Sequence, residues 1–477
     1  MKLDGKQVLI LGLGESGLAM AAWCARLGAR VRVADTRPQP PALAELLQRV
    51  AGAEFVCADF VKAADKTLLD QVELLCLSHG LSAGMMLVFD ARARGIPVVG
   101  EIELFAWALR QLQPAGGGCT RIKLIAITGT NGKTTTTALC GHLCRAAGVD
   151  AEVAGNISPA ALTALMTRLD TGVLPDVWVL ELSSFQLETL TSLEADAATV
   201  LNLSDDHLDR YIDIDDYAAA KQHIFQGGGV QVLNRQDARV KRMAILGRPL
   251  ITFGVDAPGM VDDFGLRENR GGPWLVQGDR FLLPLAELPL AGLHNAANAA
   301  AALALGHAIG LPLLPMIEGL RRFRGLPHRV QLVVESAGVR YYDDSKGTNV
   351  GATVAALHGL AGGEGRVVLI AGGDGKGQDF SPLQQAVAQC ARALIVIGRD
   401  ADLITAATAA SGVPTEHAAD MDAAVALAAA AARPGDAVLL SPACASFDMY
   451  NNYAHRAEVF VAAVSKHTGV ATPVSLS

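Results

Sequence analysis

No stretch of about 18 unbroken apolar residues occurs in this chain, so an ordinary membrane-spanning helix is not expected. The N-terminal "MKLDGKQVLILGLG" has only a short apolar run before its glycines, too short for the apolar core of a secretory signal. Cysteine is sparse and unpatterned: none of the eight forms a C-x-x-C. Cys140 and Cys144, spaced i, i+4 on an expected helix, could bind a metal but read more simply as a buried helix face. A reduced, cytoplasmic protein without structural disulfides is expected. Basic charge is not in excess, with 40 Lys and Arg against 48 Asp and Glu and a formal net charge of −8. That balance disfavours a general nucleic-acid binder, and a phosphate ligand would need local groups to hold it. Aromatic residues make up 5% and no repeat of fixed period appears.

Apolar residues are plentiful at 51%, enough for large cores and against disorder. A length of 477 residues suits three domains at roughly 150 residues each. Short apolar runs alternate with helix-length segments, the pattern of parallel α/β sheets. Expected strands include "QVLILGL" (7–13), "VRVADT" (31–36), "LLCLS" (74–78), "IKLIAIT" (122–128), "VWVLEL" (177–182), "AATVLNL" (197–203), "RVVLIAGG" (366–373), "ALIVIG" (393–398) and "AVLLSP" (437–442). "QPAGGGC" (113–119) and "FRGLPHR" (323–329) divide the chain near 114 and 325. Residues 250–285 read as a small antiparallel insertion. The Ala-rich 422–432 reads as a helix packed on a sheet. In such folds function lies at the C-terminal ends of strands.

Two Gly-rich loops stand at such ends. Gly12-x-Gly14-x-x-Gly17 follows a strand and opens a helix, and Asp35 closes the next strand. This pattern holds a diphosphate at a helix N-terminus and does not choose among nucleotides. Gly129-Thr130-Asn131-Gly132-Lys133-Thr134 lies between a strand and a helix expected to begin near Lys133. It lacks the first glycine of G-x-x-x-x-G-K-[ST], because Ile127 stands there. The amides of 130–134 are expected to face a phosphate, Lys133 to reach the terminal phosphates and Thr134 to bind Mg²⁺.

Other strand ends add to these loops. Glu181 is a carboxylate where a Mg²⁺–ATP site needs one. "NLSDDHLDRY" (202–211) carries Asp205, Asp206, His207 and Asp209; the aspartates are expected to cap a helix in a solvated turn, and His207 could approach a second Mg²⁺. Lys221 follows. "DDSKGTN" (343–349), "AGGDGKGQD" (371–379) and "SPACASFD" (441–448) supply Lys346, Thr348, Lys376 and Ser446 beyond three strands of the last segment. Together these loops suit an anionic substrate.

These stretches, with "GNI" (155–157), "ELSSFQLE" (181–188), "HNAANAAAA" (294–302) and "GLPHR" (325–329), run in the order of the Mur ligase family, which the chain resembles over nearly its whole length. The resemblance implies an α/β fold of three domains: a Rossmann-like domain binding a UDP-substrate (1–114), a central P-loop ATPase domain on a parallel sheet (115–325) and a Rossmann-like domain binding an amino acid (326–477). It implies an ATP-dependent carboxylate–amine ligase of cell-wall synthesis, adding D-glutamate to UDP-N-acetylmuramoyl-L-alanine through an acyl phosphate. "GLGESG" would then hold uridine diphosphate, with Ser16, Asp35, Thr36, Arg37 and Gly80 nearby and Asn156 beside the alanyl carboxylate. ATP would meet Gly129 to Thr134, Thr135, Asn298, His328, Arg329 and Asp344. Two Mg²⁺ would be held by Thr134, Glu181, His207 and Lys221, the last as a carbamate. D-glutamate would meet Lys346, Thr348, Lys376, Ser446 and Tyr453. No nucleic-acid partner, no membrane insertion and a monomer are expected.

His79, Ser158, Gly347 and Tyr453 depart from the family pattern without removing a charge that the chemistry needs. Sister ligases that add other amino acids are the alternative within the family, although no "DNPR"-like diamino-acid motif occurs. A dehydrogenase with a regulatory ATP site would leave the last segment's loops without a role. A nucleotide-binding regulator without turnover would leave Lys133, Glu181 and Lys221 without one.

Overall fold

A computed structural model describes residues 2–61, 66–112, 121–204, 206, 210–290, 292–361 and 365–470. The expected boundary near 114 lies outside the described residues. Three sheets follow one another along the chain. The first is wholly parallel, in the spatial order Glu54–Cys57, Arg30–Asp35, Gln7–Leu11, Leu74–Leu77, Val98–Val99. The second has nine strands; Lys123–Thr128 lies at its heart between Val177–Glu181 and Ala197–Val200. The third has six, with Val367–Gly372 between Ala437–Leu440 and Ala391–Ile397. The central strands are short runs of Val, Ile, Leu and Ala buried on both faces, as parallel strands covered by helices must be. In each sheet the strand order reverses next to a functional loop, the crevice where α/β proteins bind ligands.

The first two domains share one hydrophobic core, built from residues between Leu3 and Leu109 and between Leu124 and Met243. The helix Glu101–Leu112 makes the join. Phe105 meets Trp178 edge to face at 5.0 Å. Glu101 accepts the Leu162 amide at 2.7 Å, and Glu103 accepts from the Thr191 and Ser192 amides and the Thr191 hydroxyl. The third domain keeps separate cores on the two faces of its own sheet. It meets the middle domain through polar contacts at residues 131 and 134 and through the start of the helix Leu293–Ala308 against the helix Val350–Leu360.

The segment 250–285 departs from expectation. It is no separate insertion but the continuation of the main sheet: Leu250–Phe253 pairs parallel to Val230–Asn234, and Phe264–Asn269, Gly272–Gln277 and Arg280–Pro284 extend the edge, the last two pairings antiparallel. The expected antiparallel pairing is present in the last three strands; their attachment to the main sheet was not legible, because alternating apolar residues suit an edge extension and a free hairpin equally. Cys140 and Cys144 are buried, and seven cysteines are free among the described residues. No helix among the described residues is long and apolar enough to cross a membrane.

Candidate active site

At the reversal point of the first sheet the loop after Gln7–Leu11 faces the loop after Leu74–Leu77, and Ser16 and Ser78 share a hydroxyl hydrogen bond of 2.8 Å. The three glycines divide their tasks. Gly12 turns the chain at φ +86°, and a Cβ on Gly17 would lie 2.0 Å from the Gly12 carbonyl oxygen, so the helix Glu15–Arg26 can pack this closely only without one. In front of Gly14, where a diphosphate would approach, nothing stands within 4 Å. Asp35 is buried and accepts from the Leu13 amide at 2.7 Å and from the Arg37 amide and guanidinium. Burial works against its charge, but Arg37 and the two amides outweigh it and hold the carboxyl at about 2. Thr36 and Gly80 are exposed at the rim of the crevice.

The second loop follows the buried strand Lys123–Thr128, and the helix Lys133–Ala146 starts on its lysine. Gly129 (φ +151°) and Gly132 (φ +82°) are both closed to side chains: a Cβ would come 2.9 Å from Leu201 Cβ and 2.4 Å from Asn298 Oδ1 respectively. The amides of Thr130 and Asn131 are occupied by Asn202, through its carbonyl and its Oδ1. Of the amides expected to face a phosphate, 130–134, those of Thr130 and Asn131 are thus already bonded, while those at the helix start, Gly132–Thr134, have no partner within the helix. The Lys133 ammonium folds back onto the Gly129 and Thr130 carbonyls at 2.9 and 2.8 Å. Its burial in the loop lowers its pKa, against the pull of Glu181 and Asp206. Thr134 Oγ1 accepts from Arg329 at 2.7 Å, Thr135 is buried, and Asn298 lies behind the loop, bonded to Thr136 and Asn295.

Glu181 ends its strand 2% exposed. Its Oε1 accepts from Asn156 at 2.8 Å, while Oε2 is buried without a hydrogen-bond partner among the described residues. A buried carboxylate oxygen left unpaired costs free energy unless something else meets it, and this oxygen and the Thr134 hydroxyl are hard ligands of the kind a divalent cation takes. Lys221, 1% exposed, donates to Thr128 Oγ1 and to the same Gly129 carbonyl that Lys133 uses, with the Tyr217 ring 4.6 Å away. Burial, and then the Lys133 charge, push its amine well below the ordinary range. Asp206 does not cap the following helix as expected; Asp213 caps Ile214–Gln222, and the Asp206 charge acts on Lys133 and Lys221. His207 lies outside the described residues, as do Asp205 and Asp209.

From the third domain, the N-terminal end of the helix Val350–Leu360 abuts this loop, with Asn349 Nδ2 donating to Asn131 Oδ1 at 3.1 Å. Arg329 enters from the linker, where His328 (φ +62°) and Val330 (φ +47°) adopt left-handed backbone. His328 Nδ1 pairs with Asp343 at 2.6 Å. Asp344 accepts from Val330 N and Ser441 Oγ, and burial pushes its carboxyl up to about 7. Lys346 lies over the Tyr453 ring at 3.7 Å; burial, then the Arg329 charge, bring its ammonium down to about 8. The loops 344–349, 373–379 and 441–448 are tied together: Ala443 N bonds Gly347 O, Asp374 bridges Ala445, and Gln378 reaches Val350 N and Ala443 O. Thr348 is half-buried, Ser446 is buried, and Lys376 is exposed at φ +50°. Ser158 and Gly347, two of the departures, sit in defined surroundings. Ser158 Oγ donates to Glu15, and at Gly347 a Cβ would lie 2.5 Å from Asp344 Oδ2.

Three residues in the quoted motifs have roles that the motifs did not announce. Asn202 holds the phosphate loop, Asn349 joins it to the third domain, and Arg210 reaches the first domain. A strand-end asparagine beside a Gly-rich loop was the only signal for Asn202.

Comparison with known proteins assigns each sheet. Residues 6–100 match the Mur ligase MurD-like N-terminal domain, 127–306 the Mur ligase middle domain and 328–444 the Mur ligase glutamate ligase domain. A protein of Aromatoleum aromaticum named UDP-N-acetylmuramoylalanine–D-glutamate ligase is 58% identical over 97% of this chain and 98% of its own length. One of the same name from Nitrosomonas europaea is 53% identical over 97% of each. Among solved structures, MurF from Acinetobacter baumannii superposes with a TM-score of 0.59 at 18% identity, over 98% of this chain and 91% of that one. UDP-N-acetylmuramate–alanine ligase from Thermotoga maritima gives 0.56 at 17% identity, over 97% and 99%. These structural matches show the three-domain fold.

Proposed function

The chain belongs to the Mur ligase family, and we propose that it joins D-glutamate to UDP-N-acetylmuramoyl-L-alanine at the expense of ATP, in peptidoglycan synthesis. The observation that carries this reading is the meeting of Lys133, Glu181, Lys221 and Arg329 around one short phosphate loop. Dehydrogenase chemistry needs no such cluster. Residues 1–114 are assigned to the UDP-substrate, 115–325 to ATP and 326–477 to the amino acid. A cytoplasmic monomer is proposed.

The substrate carboxylate is a poor electrophile, because attack by an amine would have to expel oxide. Attack of a carboxylate oxygen on the γ-phosphorus forms the acyl phosphate as the Pγ–O bond to the β-phosphate breaks and ADP leaves, which makes phosphate the later leaving group; the D-glutamate amine then attacks the acyl carbon, the amide C–N bond forms, the C–O bond to phosphate breaks and one proton leaves the nitrogen. The chain's task is to bring together anions that repel one another. Lys133 would exchange its two carbonyl partners for the γ-phosphate. Arg329, now on Thr134, would join it. Asn156 orients Glu181 and would meet the alanyl carboxylate. Lys346 over Tyr453, with Thr348, Ser446 and Lys376, would hold the carboxylates of D-glutamate. Thr134 and the free Glu181 oxygen fit Mg²⁺, which would offset phosphate charge during transfer.

A second cation site would use His207 and Lys221. A carbamate on Lys221 would form by attack of its deprotonated amine on CO₂, making a C–N bond and releasing one proton; burial, which lowers the pKa of this amine, favours that form. The product would replace a buried base by an anion facing the same loop.

Phosphate release from ATP in the presence of UDP-N-acetylmuramoyl-L-alanine and a panel of amino acids tests the function. D-glutamate alone should support turnover; turnover with another amino acid and none with D-glutamate would overturn the reading. For Lys221→Ala, activity should fall sharply and return in part with a short-chain carboxylate. Full activity without it would exclude the carbamate.

A further inference from the structure

Arg210 stands at the seam between the first and middle domains. Its Nη2 donates to Leu81 O at 2.6 Å and its Nη1 to His79 O at 3.4 Å, two carbonyls of the loop that closes the first domain's crevice. The guanidinium carbon lies 4.0 Å over the Phe185 ring, and Nη2 also meets Glu188 Oε2 at 3.3 Å. Phe185 and Glu188 belong to the segment that follows Glu181. Glu188 is fixed in turn by the Tyr211 hydroxyl at 2.6 Å. Tyr211 stacks on Phe185 and packs against Tyr217, which lies beside Thr130 and Lys221. A packed path thus runs from the first domain's loop to the phosphate loop.

The shared core fixes how the two domains sit, but it ends below residues 79–84, several of which are exposed. We infer that Arg210 is a positioning residue: it fastens the loop 79–81 to the middle domain, so that a substrate gripped by its nucleotide in the first domain presents its carboxylate at the phosphate loop. The inference rests on the proposed ligase reading, since only there must a ligand of one domain react in the next. Arginine suits the task because one planar group can stack on a ring while donating in its plane to two carbonyls and a carboxylate. Lysine cannot do all of these at once. Misplacement of a reacting group by about 1 Å can cost about 100-fold in rate.

The test is Arg210→Ala and Arg210→Lys in the full chain, with two readouts. In Arg210→Ala the KM for the UDP-substrate should rise about tenfold and kcat should fall about tenfold or more, while the KM values for ATP and D-glutamate stay within about twofold. Methylguanidinium should restore part of the activity of Arg210→Ala and none of that of Arg210→Lys. Independently of turnover, amides of Gly80 to Gly84 should exchange with deuterium about tenfold faster in both variants, while those of the strand Leu74–Leu77 are unchanged. Unchanged exchange in the loop would overturn the inference whatever the enzyme's substrate. So would an equal rise in all three KM values, or a lowered melting temperature with unaltered kinetics. Failure of the ligase reading would show separately, as absent turnover in the unsubstituted protein.

Discussion

Replacing Glu101 by glutamine should make the protein more stable at pH 8 and leave it nearly unchanged at pH 5. Glu101 opens the helix that joins the first domain to the second and is 3% exposed. One oxygen accepts from the Leu162 amide at the start of the helix Ala161–Thr171; the other is buried with no hydrogen-bond partner among the described residues. Burial raises its pKa from the ordinary 4.5 to about 7; the Leu162 and Ala161 amides oppose the rise and Glu15 adds to it. The folded state therefore holds a proton that the unfolded state has already lost. Where the native state binds more protons, stability falls as pH rises. The loss begins near 4.5 and is complete above about 7. At about 1.4 kcal/mol per tenfold change in proton affinity, it amounts to about 3 kcal/mol. Glutamine is neutral throughout and keeps an oxygen for the Leu162 amide, so the variant escapes the loss.

All four tryptophans, Trp23, Trp107, Trp178 and Trp274, lie in the first two domains, so fluorescence follows the unit that Glu101 stitches together. Urea unfolding of both proteins between pH 5 and 8 should give curves that diverge by up to about 3 kcal/mol as pH rises. Parallel curves would show that Glu101 is not the ionising group, and a variant less stable at pH 8 would refute the sign.

Gly132→Ala should raise the KM for ATP at least tenfold, because the left-handed φ costs about 1 kcal/mol and the new methyl group would displace Asn298 behind the loop; an unchanged KM would mean that the loop tolerates rearrangement. Asp35→Asn should lower the melting temperature at pH 6 and weaken UDP binding, measured by calorimetry, by freeing Arg37 and the Leu13 amide. The depressed folded pKa makes the stabilisation present above the ordinary 3.8 and lost as pH falls through about 2, so the two proteins should converge over that interval.

The sequence revealed what is local and hid what is distant. Glycines at Gly12, Gly17, Gly129 and Gly132 were readable because a tight turn or a close approach of backbone admits no other residue there. Glu54–Cys57 and Val98–Val99 were not, since two to four residues at or near a sheet edge carry too little periodicity. Glu101, Glu103 and Arg210 work on partners 61, 88 or 89, and about 130 residues away, and no spacing along the chain encodes that.

The short phosphate loop joins the two kinds of information. Ile127, at the position where a longer loop would have its first glycine, is a fully buried residue of a strand that continues to Thr128. With fewer residues to fold upon itself, the loop takes its support from outside: Asn202 holds the Thr130 and Asn131 amides, Asn298 backs Gly132, and Asn349 reaches Asn131 from the third domain. Asn131, its amide held by Asn202, thereby becomes a contact point between domains beside the helix start at Gly132–Thr134. A change in how the third domain docks would reach the loop through the Asn349–Asn131 and Arg329–Thr134 hydrogen bonds.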